Sequence, residues 1–493
     1  MLKKKLKIVF VASEVSPFSK SGGLADVMRS LPKAVKRAGH EVSIITPLYG
    51  QVIDKKKYKL KEIFHNEKIY LNSKESIRIN FWQGEAMDSL PIYFVECKKY
   101  FSRKKALYMS GHENARFLVF NVATLKLLSL LKYQADIINC HDWQTGLIPY
   151  YLKTDFRYSK TLKKTKTLFT IHNLIFQLGT DWWIIPPKER DNGRRRVPHL
   201  SDPYIEKINF AKRAILSANA ISTVSEQYRE EIMTRHYGQD LHVILKNRRK
   251  RLFGIVNGID YADFNPNNDP GMHCNYNDKT FQKKKLNKAY LQKKFGLKVD
   301  SKIPLLCGTS RVTYQKGFEL LLKIMDHLTG LNLQIIIMGG GDKIYIKEYK
   351  RIARKYPRRF VILPTHEQNQ KYETLAFAGS DYFLLPSHME PCGINQMKAM
   401  RYGCVPIVRK VGGLHDTVNN FNPGTGKGTG FVFKYFNEFS LYGGIVRALE
   451  AYKNIEFYNK LAQKVMHKSN SWEIPAKKYV SLYRKIMRFQ NVE

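Results

Sequence analysis

Short apolar runs alternate with longer stretches of helical periodicity through the first half of the chain. Ile8–Ala12 is predicted to be a buried strand, Gly23–Ala38 a helix that Gly39 ends, and Val42–Thr46 the next strand. This alternation is typical of a parallel sheet covered by helices. Further strands, each leading into a loop and a helical stretch, are predicted at Ala135–Cys140, Thr167–Ile171 and Ala220–Val224.

The second half repeats this plan with new sequence, so two doubly wound α/β units are predicted, as expected for a chain of 493 residues. Their boundary is predicted near residue 260, with Gly254–Asp260 as the crossover and the lysine-rich Asn265–Lys294 as a surface excursion. Ligands of such sheets bind beyond the carboxyl ends of the strands, in the strand-to-helix loops. The predicted strands of this half are Pro304–Gly308, Leu333–Met338, Tyr382–Leu385 and Val405–Val408.

The composition is that of an ordinary globular protein, with 43% apolar and 25% charged residues. No apolar run approaches the ~20 residues that cross a bilayer. The basic start Met1–Lys7 superficially resembles a signal peptide, but the apolar run Ile8–Ala12 is shorter than the ~7–15 residues of an h-region. The six scattered cysteines contain no C-x-x-C pair, which indicates neither disulfides nor zinc. A cytoplasmic location is therefore expected.

The formal charge of +41 is the one unusual feature of the composition. Binding to nucleic acid or another polyanion is one interpretation. A lysine-biased proteome is the other, and it is favoured because the 83 Lys and Arg residues are spread along the whole chain. In either case a positive field would attract an anionic ligand.

The loop after the first strand carries Lys20-Ser-Gly-Gly-Leu-Ala-Asp26. Gly22 and Gly23 allow a phosphate or sugar to approach backbone N–H groups at a helix start, while Lys20 supplies a positive charge. A turn that serves only packing is the alternative. The surrounding span, Ala12–Val27, resembles the N-terminal signature of bacterial glycogen synthases and plant starch synthases. The resemblance implies that Lys20 is catalytic and, with Gly22 and Gly23, binds the donor, and that Asp26 lies on the sugar or acceptor side.

Two further loops place polar side chains at strand ends: His141-Asp142-Trp143 and His172-Asn173. A structural hydrogen-bonding role and a catalytic role both remain open for these histidines. Both segments resemble the family's His-Asp-Trp and Thr-x-His-Asn motifs. The resemblance implies that His172 is catalytic and binds the donor by lying against the transferred sugar. It implies that His141, Asp142, Asn173 and Gln177 lie on the sugar or acceptor side.

In the second half, Arg311-Val-Thr-Tyr-Gln-Lys-Gly317 precedes a predicted helix, Phe318–Leu328. Two permanent cations at a helix start can hold a diphosphate and stabilise it as it leaves. A solvated charge pair is the alternative. Arg-x-x-x-Gln-Lys-Gly matches the family's donor-phosphate motif, which implies that Arg311 and Lys316 are catalytic and donor-binding.

The most specific motif is Pro386-Ser-His-Met-Glu-Pro-Cys-Gly-Ile-Asn-Gln396, in which Gly393 is predicted to start a helix. A carboxylate before a proline turn suits a residue that binds glucose hydroxyls and stabilises an oxocarbenium-like charge. Glu-Pro-Cys-Gly is the family's own quartet, which implies that Glu390 is catalytic and that it binds the donor together with Cys392, Gly393 and Asn395. Lys398 stands where many related retaining transferases place a second carboxylate. The synthase group likewise has no acid at this position.

Two glycine-rich turns, Gly339–Asp342 and Val411–Thr417, are weaker signals. The second resembles the family's Gly-Gly-Leu-x-Asp-Thr segment near the donor phosphates. The end of the chain resembles the family's last helix, which crosses back to the first domain. The resemblance thus implies a GT-B fold of two Rossmann-like domains facing an interdomain cleft: residues 1–259 on the acceptor side, 260–470 binding the nucleotide sugar, and 471–493 as the returning helix.

The family pattern is altered at Gln144, Phe176, His388 and Asn395, which bears on acceptor and donor preference. The stretch Thr180–Leu200 lies where the family has acceptor-side loops. Its Trp182 and Trp183 could stack on glucose rings or form a packed loop core; the run Arg194–Arg196 follows them.

The resemblance implies a retaining transfer of glucose from ADP-glucose or UDP-glucose to the non-reducing end of an α-1,4-glucan, with no metal and no cofactor. A membrane span and a specific nucleic-acid partner are not expected. Two alternatives stay open. One is a related retaining transferase acting on a small or lipid-linked acceptor, and the other is a non-catalytic protein that binds glucan or a polyanion.

Overall fold

The computed structural model describes residues 4–71, 75–102, 106–109 and 111–489. The chain divides into two compact units. The first unit comprises Met1–Asn257 and Trp472–Glu493, and the second comprises Gly258–Ser471. The ends of the predicted first domain (residues 1–3) and of the predicted returning segment (residues 490–493) lie outside the described residues.

The described part of the first unit is built on one nine-stranded sheet of order β3-β4-β5-β2-β1-β6-β7-β8-β9. Strands from β5 to β9 in this order pair in parallel, whereas β3 and β4 add antiparallel pairs at one edge. The strands are β1 (Lys7–Val11), β2 (Glu41–Pro47), β3 (Lys61–Tyr70), β4 (Ser76–Ala86), β5 (Leu90–Glu96), β6 (Ile137–His141), β7 (Lys166–Ile171), β8 (Ala220–Thr223) and β9 (Leu252–Gly254).

The helices of this unit differ in how far they are buried: Glu113–Leu130 is buried almost all round, whereas the first helix buries one face. The first, α1, buries Leu24, Val27 and Leu31 and carries Lys36 and Arg37 in its last turn, where cations complement the helix dipole. The helices are α1 (Gly23–Arg37), α2 (Glu113–Leu130), α3 (Leu147–Lys153), α4 (Phe210–Ser217), α5 (Glu226–Glu231), α6 (His242–Asn247) and, from the end of the chain, α16 (Glu473–Met487).

Within the described residues, the second unit has a six-stranded, fully parallel sheet of order β12-β11-β10-β13-β14-β15. Its strands are β10 (Leu305–Thr309), β11 (Gln334–Met338), β12 (Phe360–Leu363), β13 (Tyr382–Leu385), β14 (Val405–Arg409) and β15 (Phe431–Phe433). Its helices are α7 (Lys284–Lys294), α8 (Phe318–Lys323), α9 (Met325–Thr329), α10 (Lys343–Lys355), α11 (His366–Gly379), α12 (Asn395–Arg401), α13 (Gly412–Thr417), α14 (Glu438–Lys453) and α15 (Ile455–His467).

Three predictions were wrong in detail. The helix predicted at Phe318–Leu328 is broken at Ile324, where φ is −105° and ψ is 4°. The helix predicted to start at Gly393 starts at Asn395 instead. The predicted surface excursion Asn265–Lys294 contains α7, which packs on α11 and buries Leu291.

Strand order reverses at one point in each sheet. In the first sheet, β1 lies between β2 and β6; in the second, β10 lies between β11 and β13. At such a point the loops after two neighbouring strands turn toward opposite faces of the sheet. They open a crevice at the carboxyl edge, which is where open α/β sheets bind ligands. The predicted site loops follow β1, β6 and β7 in the first unit and β10 and β13 in the second. No helix in the described ranges is long and apolar enough to span a membrane.

Candidate active site

The loop after β1 is organised around the buried carboxylate of Glu14. Ser21 donates to Glu14 Oε2 from its backbone N at 2.5 Å and from its Oγ at 2.9 Å. Burial raises the pKa of Glu14, and the hydrogen bonds from Ser21 and Gly22 oppose that rise. One carboxylate therefore holds the backbone of the predicted binding loop where α1 begins.

Lys20 stays at the surface of this loop. Its Nζ lies 2.7 Å from Asp26 Oδ1, and both side chains are partly exposed. Such an exposed ion pair contributes at most about 1 kcal/mol to folding. Neither side chain is therefore needed to hold the fold, which leaves the Lys20 ammonium available for an anionic ligand.

His141, the last residue of β6, and His172, the first residue after β7, form one hydrogen-bonded pair. Asn139 Oδ1 accepts from Thr170 Oγ1 at 2.9 Å, which directs Asn139 Nδ2 at His141 Nε2, 2.8 Å away. His141 Nε2 then accepts, so His141 Nδ1 carries the proton and donates to His172 Nε2 at 2.9 Å. The remaining proton of neutral His172 lies on Nδ1, which is left as a donor.

The electrostatics of this pair keep both imidazoles neutral. Desolvation lowers the pKa of His172 to about 3, and desolvation followed by the neighbouring His172 lowers the pKa of His141 well below its usual value. A neutral imidazole can donate to a sugar hydroxyl without placing a fixed charge beside it.

Asp142 is held in a strained backbone conformation, with φ 57° and ψ 177°. Its Oδ1 accepts from the backbone N of His172 at 2.7 Å, and Asn173 N–H also hydrogen-bonds this carboxylate. Desolvation raises the pKa of Asp142 to about 7 despite these bonds. Asp142 therefore positions the backbone that carries His172.

The two predicted residues that follow are engaged with protein atoms. Asn173 Oδ1 accepts from the backbone N of Ile175 at 3.2 Å and shapes the turn. Gln177 is buried; its Oε1 accepts from Asn209 Nδ2 at 2.6 Å and its Nε2 donates to the carbonyl of Gln239 at 2.7 Å. Gln177 thus joins loops of the first unit.

The two tryptophans of the stretch Thr180–Leu200 differ in environment. Trp182 is 3% exposed and forms a small core with Leu178 and Ile185. Trp183 is 55% exposed. The stretch therefore contains both features that were left open: a packed core beneath and an exposed ring above.

In the second unit, Lys316 and Glu390 come together from the loops after β10 and β13. Lys316 Nζ lies 2.5 Å from Glu390 Oε2, and Ser387 Oγ donates to the same oxygen at 3.1 Å. Both charged side chains are largely buried. Lys316 can still bind an anionic ligand while it is paired, because its ammonium has three donors and only one is directed at Glu390.

Backbone packing behind Glu390 requires glycine. A Cβ at Gly412, where φ is +43°, would collide with the carbonyl of Glu390, and one at Gly413 would collide with the carbonyl of Cys392. Gly413 N donates to the Glu390 carbonyl at 3.0 Å. Gly393 itself has φ +68°. The two glycine-containing motifs are therefore one packed structure that sets the position of Glu390.

Arg311 is exposed at the start of its loop. The Gly339–Asp342 turn lies against this loop: a Cβ at Gly339 would collide with the carbonyl of Ser310, and Val312 N donates to the Gly340 carbonyl at 2.9 Å. The glycine run thus supports the segment that carries Arg311.

Two of the altered family positions have clear structural partners. Asn395 Nδ2 donates to the carbonyl of Thr309 at 2.5 Å, so this side chain is directed at the end of β10. The ring of His388 lies 5.1 Å from that of Tyr314 and 4.6 Å from that of Phe436, measured between centroids. Both residues hold the loop around Glu390.

Four supporting residues were missed by reasoning from the sequence. Glu14 and Ser387 lie inside the motifs quoted above, and Asn139 lies two residues before His141, so a local signal existed for them. Arg409 had none: it ends β14, and its Nε donates to the Ser387 carbonyl at 2.7 Å. In the ranges described, no group of three or more His, Cys, Asp or Glu side chains is arranged to hold a metal ion.

Two family models match the chain. One, described as "Starch synthase catalytic domain", matches residues 7–247, and the other, described as "Glycosyl transferases group 1", matches residues 291–466. The chain is 38% identical to a glycogen synthase of Geotalea daltonii over 491 residues, which cover 98% of this chain and 99% of that protein. It is also 38% identical to a glycogen synthase of Clostridium perfringens over 493 residues, with the same coverage of 98% and 99%.

Solved structures also match over the whole chain. The catalytic domain of starch synthase IV from Arabidopsis thaliana, bound to ADP and acarbose, is 30% identical, with a TM-score of 0.85 and coverage of 99% of this chain and 100% of that one. Sucrose-phosphate synthase from Thermosynechococcus elongatus is 17% identical with a TM-score of 0.60, covers 98% of this chain and 99% of that one, and shares the fold.

Proposed function

Because the chain belongs to the family of bacterial glycogen synthases and plant starch synthases, we propose that it transfers glucose from ADP-glucose or UDP-glucose to the non-reducing end of an α-1,4-glucan, with retention of configuration. The chain is a glycosyltransferase, and its predicted GT-B fold is confirmed. The observation that supports the reaction best is the Lys316–Glu390 pair, in which a cation and a carboxylate from two strand-end loops lie 2.5 Å apart.

The second unit is assigned to the donor. As the bond between glucose and the diphosphate breaks, negative charge develops on the departing oxygens and positive charge on the anomeric carbon. Lys316 and Arg311 neutralise the oxygens, and Glu390 stabilises the sugar cation. Because two fixed cations supply this charge, we propose that no metal ion and no cofactor are required.

The first unit is assigned to the sugar and the acceptor. Neutral His172 donates its Nδ1 proton to a glucose hydroxyl, and Lys20 adds a charge beside the glycine turn. The acceptor hydroxyl attacks from the face that the diphosphate leaves. Because bond making and bond breaking occur on the same face, configuration is retained, and a departing diphosphate oxygen takes the proton of the acceptor hydroxyl.

The test is direct. Purified protein is incubated with ADP-glucose or UDP-glucose and glycogen, and both nucleoside diphosphate release and α-1,4 chain extension are measured. Glu390→Gln should abolish both signals. If the wild-type protein gives neither signal with either donor, the proposed function is wrong.

An acceptor screen and a donor competition complete the experiment. We expect glucan to be preferred over monosaccharides, sugar phosphates and lipid-linked sugars. Preference for any of these would instead indicate a different retaining transferase. We also propose a reducing, cytoplasmic compartment, since the spacing of the six cysteines indicates no disulfide framework.

A further inference from the structure

A surface cavity in the first unit carries side chains that the proposed reaction does not use. Its volume is about 240 Å³, whereas one water molecule needs only about 10–15 Å³. None of its described lining residues belongs to the candidate active site. We call it the Arg196 cavity, and its lining includes Tyr70, Val122, Tyr151, Asp155, Phe156 and Arg196.

The hydroxyl of Tyr151 is the first indication of a ligand. The residue is only 4% exposed, yet it lines the cavity, where its hydroxyl stays accessible. Within the described residues this hydroxyl has no hydrogen-bond partner, although a tyrosine buried to this extent normally has one. Burial raises the pKa of Tyr151. The hydroxyl is therefore protonated and can both donate to a ligand and accept from one.

Two opposite charges line the cavity, and neither forms an ion pair with any residue that the structure describes. Arg196 and Asp155 are both exposed. Besides burial, the charge of Asp155 raises the pKa of Tyr151 and that of Arg196 lowers it, so both charges lie within electrostatic range of the hydroxyl. Thr154 Oγ1 donates to Asp155 Oδ2 at 2.9 Å, which leaves Oδ1 as an acceptor. Both charges are therefore available to a ligand.

The backbone that carries Arg196 is held by a buried ion pair. Arg213 is buried and binds Asp191 through Nε at 2.8 Å and Nη2 at 2.9 Å. Its Nη1 donates to the carbonyl of Arg195 at 2.7 Å. The guanidinium of Arg213 thus fixes the residue before Arg196, which lowers the entropy cost of binding a ligand at this position.

The lining indicates a ligand with an anion, hydroxyl groups and a flat ring. A guanidinium binds phosphate through paired hydrogen bonds, and a carboxylate accepts from the hydroxyls of ribose. Tyr70 is 64% exposed and Phe156 is half-buried, so the cavity also has an accessible aromatic face. The run Arg194–Arg196 adds two further exposed cations. A phosphate monoester, with about −1.5 to −2 charges near pH 7, fits this excess of positive charge better than a zwitterion does.

We propose that the Arg196 cavity is a binding site for a nucleoside monophosphate. The phosphate binds Arg196, the ribose hydroxyls donate to Asp155, and the base stacks on Tyr70. The ligand also supplies the hydrogen-bond partner that the hydroxyl of Tyr151 lacks among the described residues. Because the cavity shares no described lining residue with the candidate active site, this inference does not depend on the proposed function.

The test measures the binding of AMP to the full chain by titration calorimetry, with adenosine and ribose 5-phosphate as partial ligands. Arg196→Gln should raise the Kd of AMP about tenfold and leave that of adenosine unchanged, because adenosine has no phosphate. Tyr70→Ala should raise the Kd of AMP about tenfold and leave that of ribose 5-phosphate unchanged, because ribose 5-phosphate has no base. Tyr151→Phe should raise the Kd of AMP about threefold at an unchanged Tm, because no described residue bonds the hydroxyl that it removes.

The matched controls replace exposed neighbours of Phe156 that are not among the described lining residues. They are Tyr158→Ala, at a side chain that is 84% exposed, for Tyr70→Ala, and Arg157→Gln for Arg196→Gln. Both controls should bind AMP like the wild type. If a control weakens AMP binding as much as its matched variant, the effect is not that of a site and the proposal is wrong.

Lys316→Ala separates the Arg196 cavity from the donor site of the proposed function, and AMP binding at the cavity should persist in it. Binding that is lost in Lys316→Ala but kept in Arg196→Gln would assign AMP to the donor site alone and overturn the proposal. The proposal is also overturned if the wild type does not bind AMP. Equal Kd values of the wild type for AMP and ribose 5-phosphate would show that the base is not recognised, and would overturn it as well.

Discussion

Replacing Asp142 by asparagine should change how the stability of the protein depends on pH. Desolvation raises the pKa of Asp142 from 3.8 to about 7. Between these two values the folded protein keeps this carboxyl protonated while the unfolded chain ionises it. The folded state therefore binds more protons, and stability falls as pH rises through this window. The amide of the Asp142→Asn variant does not ionise, so this component disappears.

The magnitude follows from the same shift. The lower assay pH of about 5 lies two pH units below the folded pKa of about 7. Over these two units the free energy of unfolding of the wild type falls by roughly 3 kcal/mol, at about 1.4 kcal/mol per unit. Partial exposure of the residue makes this an upper value. For a unit of this size the corresponding change in Tm is at most roughly 6–10 °C.

The assay is thermal unfolding of wild type and Asp142→Asn at about pH 5 and about pH 8.5. The difference in Tm, variant minus wild type, should be several degrees more positive at the higher pH. Asp326→Asn, at a side chain that is 85% exposed, is the control and should give the same difference at both values. The histidine pair acts in the opposite direction, because its lowered pKa values make stability fall as pH drops below about 6.5, but it is present in both proteins and cancels. A Tm difference that is equal at the two pH values would refute the reasoning.

Three further predictions concern the site loops. Lys316→Ala should lower turnover by about 10²–10³-fold, because it removes a donor to the leaving diphosphate and leaves Glu390 without its cation. Steady-state kinetics measures this loss, with Lys316→Arg as the control. An unchanged rate in Lys316→Ala would contradict the prediction. Lys20→Ala should lower turnover strongly yet shift Tm by little, since its ion pair is exposed; equal losses of activity and of Tm would show that the residue is structural. Gly413→Ala should unfold or misplace the Glu390 loop, because its Cβ would collide with the Cys392 carbonyl; a native Tm with native activity would contradict this packing.

The parallel strands that lead into the site loops could be predicted from the sequence to within two residues, because each is a buried apolar run such as β13 between turn-forming residues. The antiparallel edge was missed. Strand β3 is mostly exposed, and its register against β4 shifts between Glu62 and Phe64 and again between Phe64 and Glu67, which breaks the period of two that identifies a strand. Local pattern alone does not identify such an edge.

The lysine-rich segment that contains α7 shows a second limit of prediction. Lys284 is buried and donates to the carbonyls of Phe377 and Ala378, and Lys288 Nζ lies 2.7 Å from Asp381 Oδ2. Buried lysines are tolerated only where such partners neutralise or solvate them. Those partners lie more than ninety residues away in the chain, so charge composition predicted a solvated surface where the structure has a packed helix.

Motifs predicted which residues belong to the candidate site, but not how those residues pair. Residues 316 and 390 are 74 positions apart, and His141 and His172 are 31 apart, yet each pair forms a direct contact. Both contacts join strand ends or the loops that follow them, on neighbouring strands at the carboxyl edge of a sheet, so the topology creates them. The same principle explains the tautomer of His172: Asn139 and His141 lie at the end of β6, and the strand geometry that pairs β6 with β7 places the donor of His141 against the acceptor of His172. The pairing of β6 with β7 therefore determines the position of the His172 proton. A substitution at Asn139 that replaces its amide donor by an acceptor should reverse the tautomers of His141 and His172, so that His172 Nδ1 would no longer donate to the sugar in the proposed reaction.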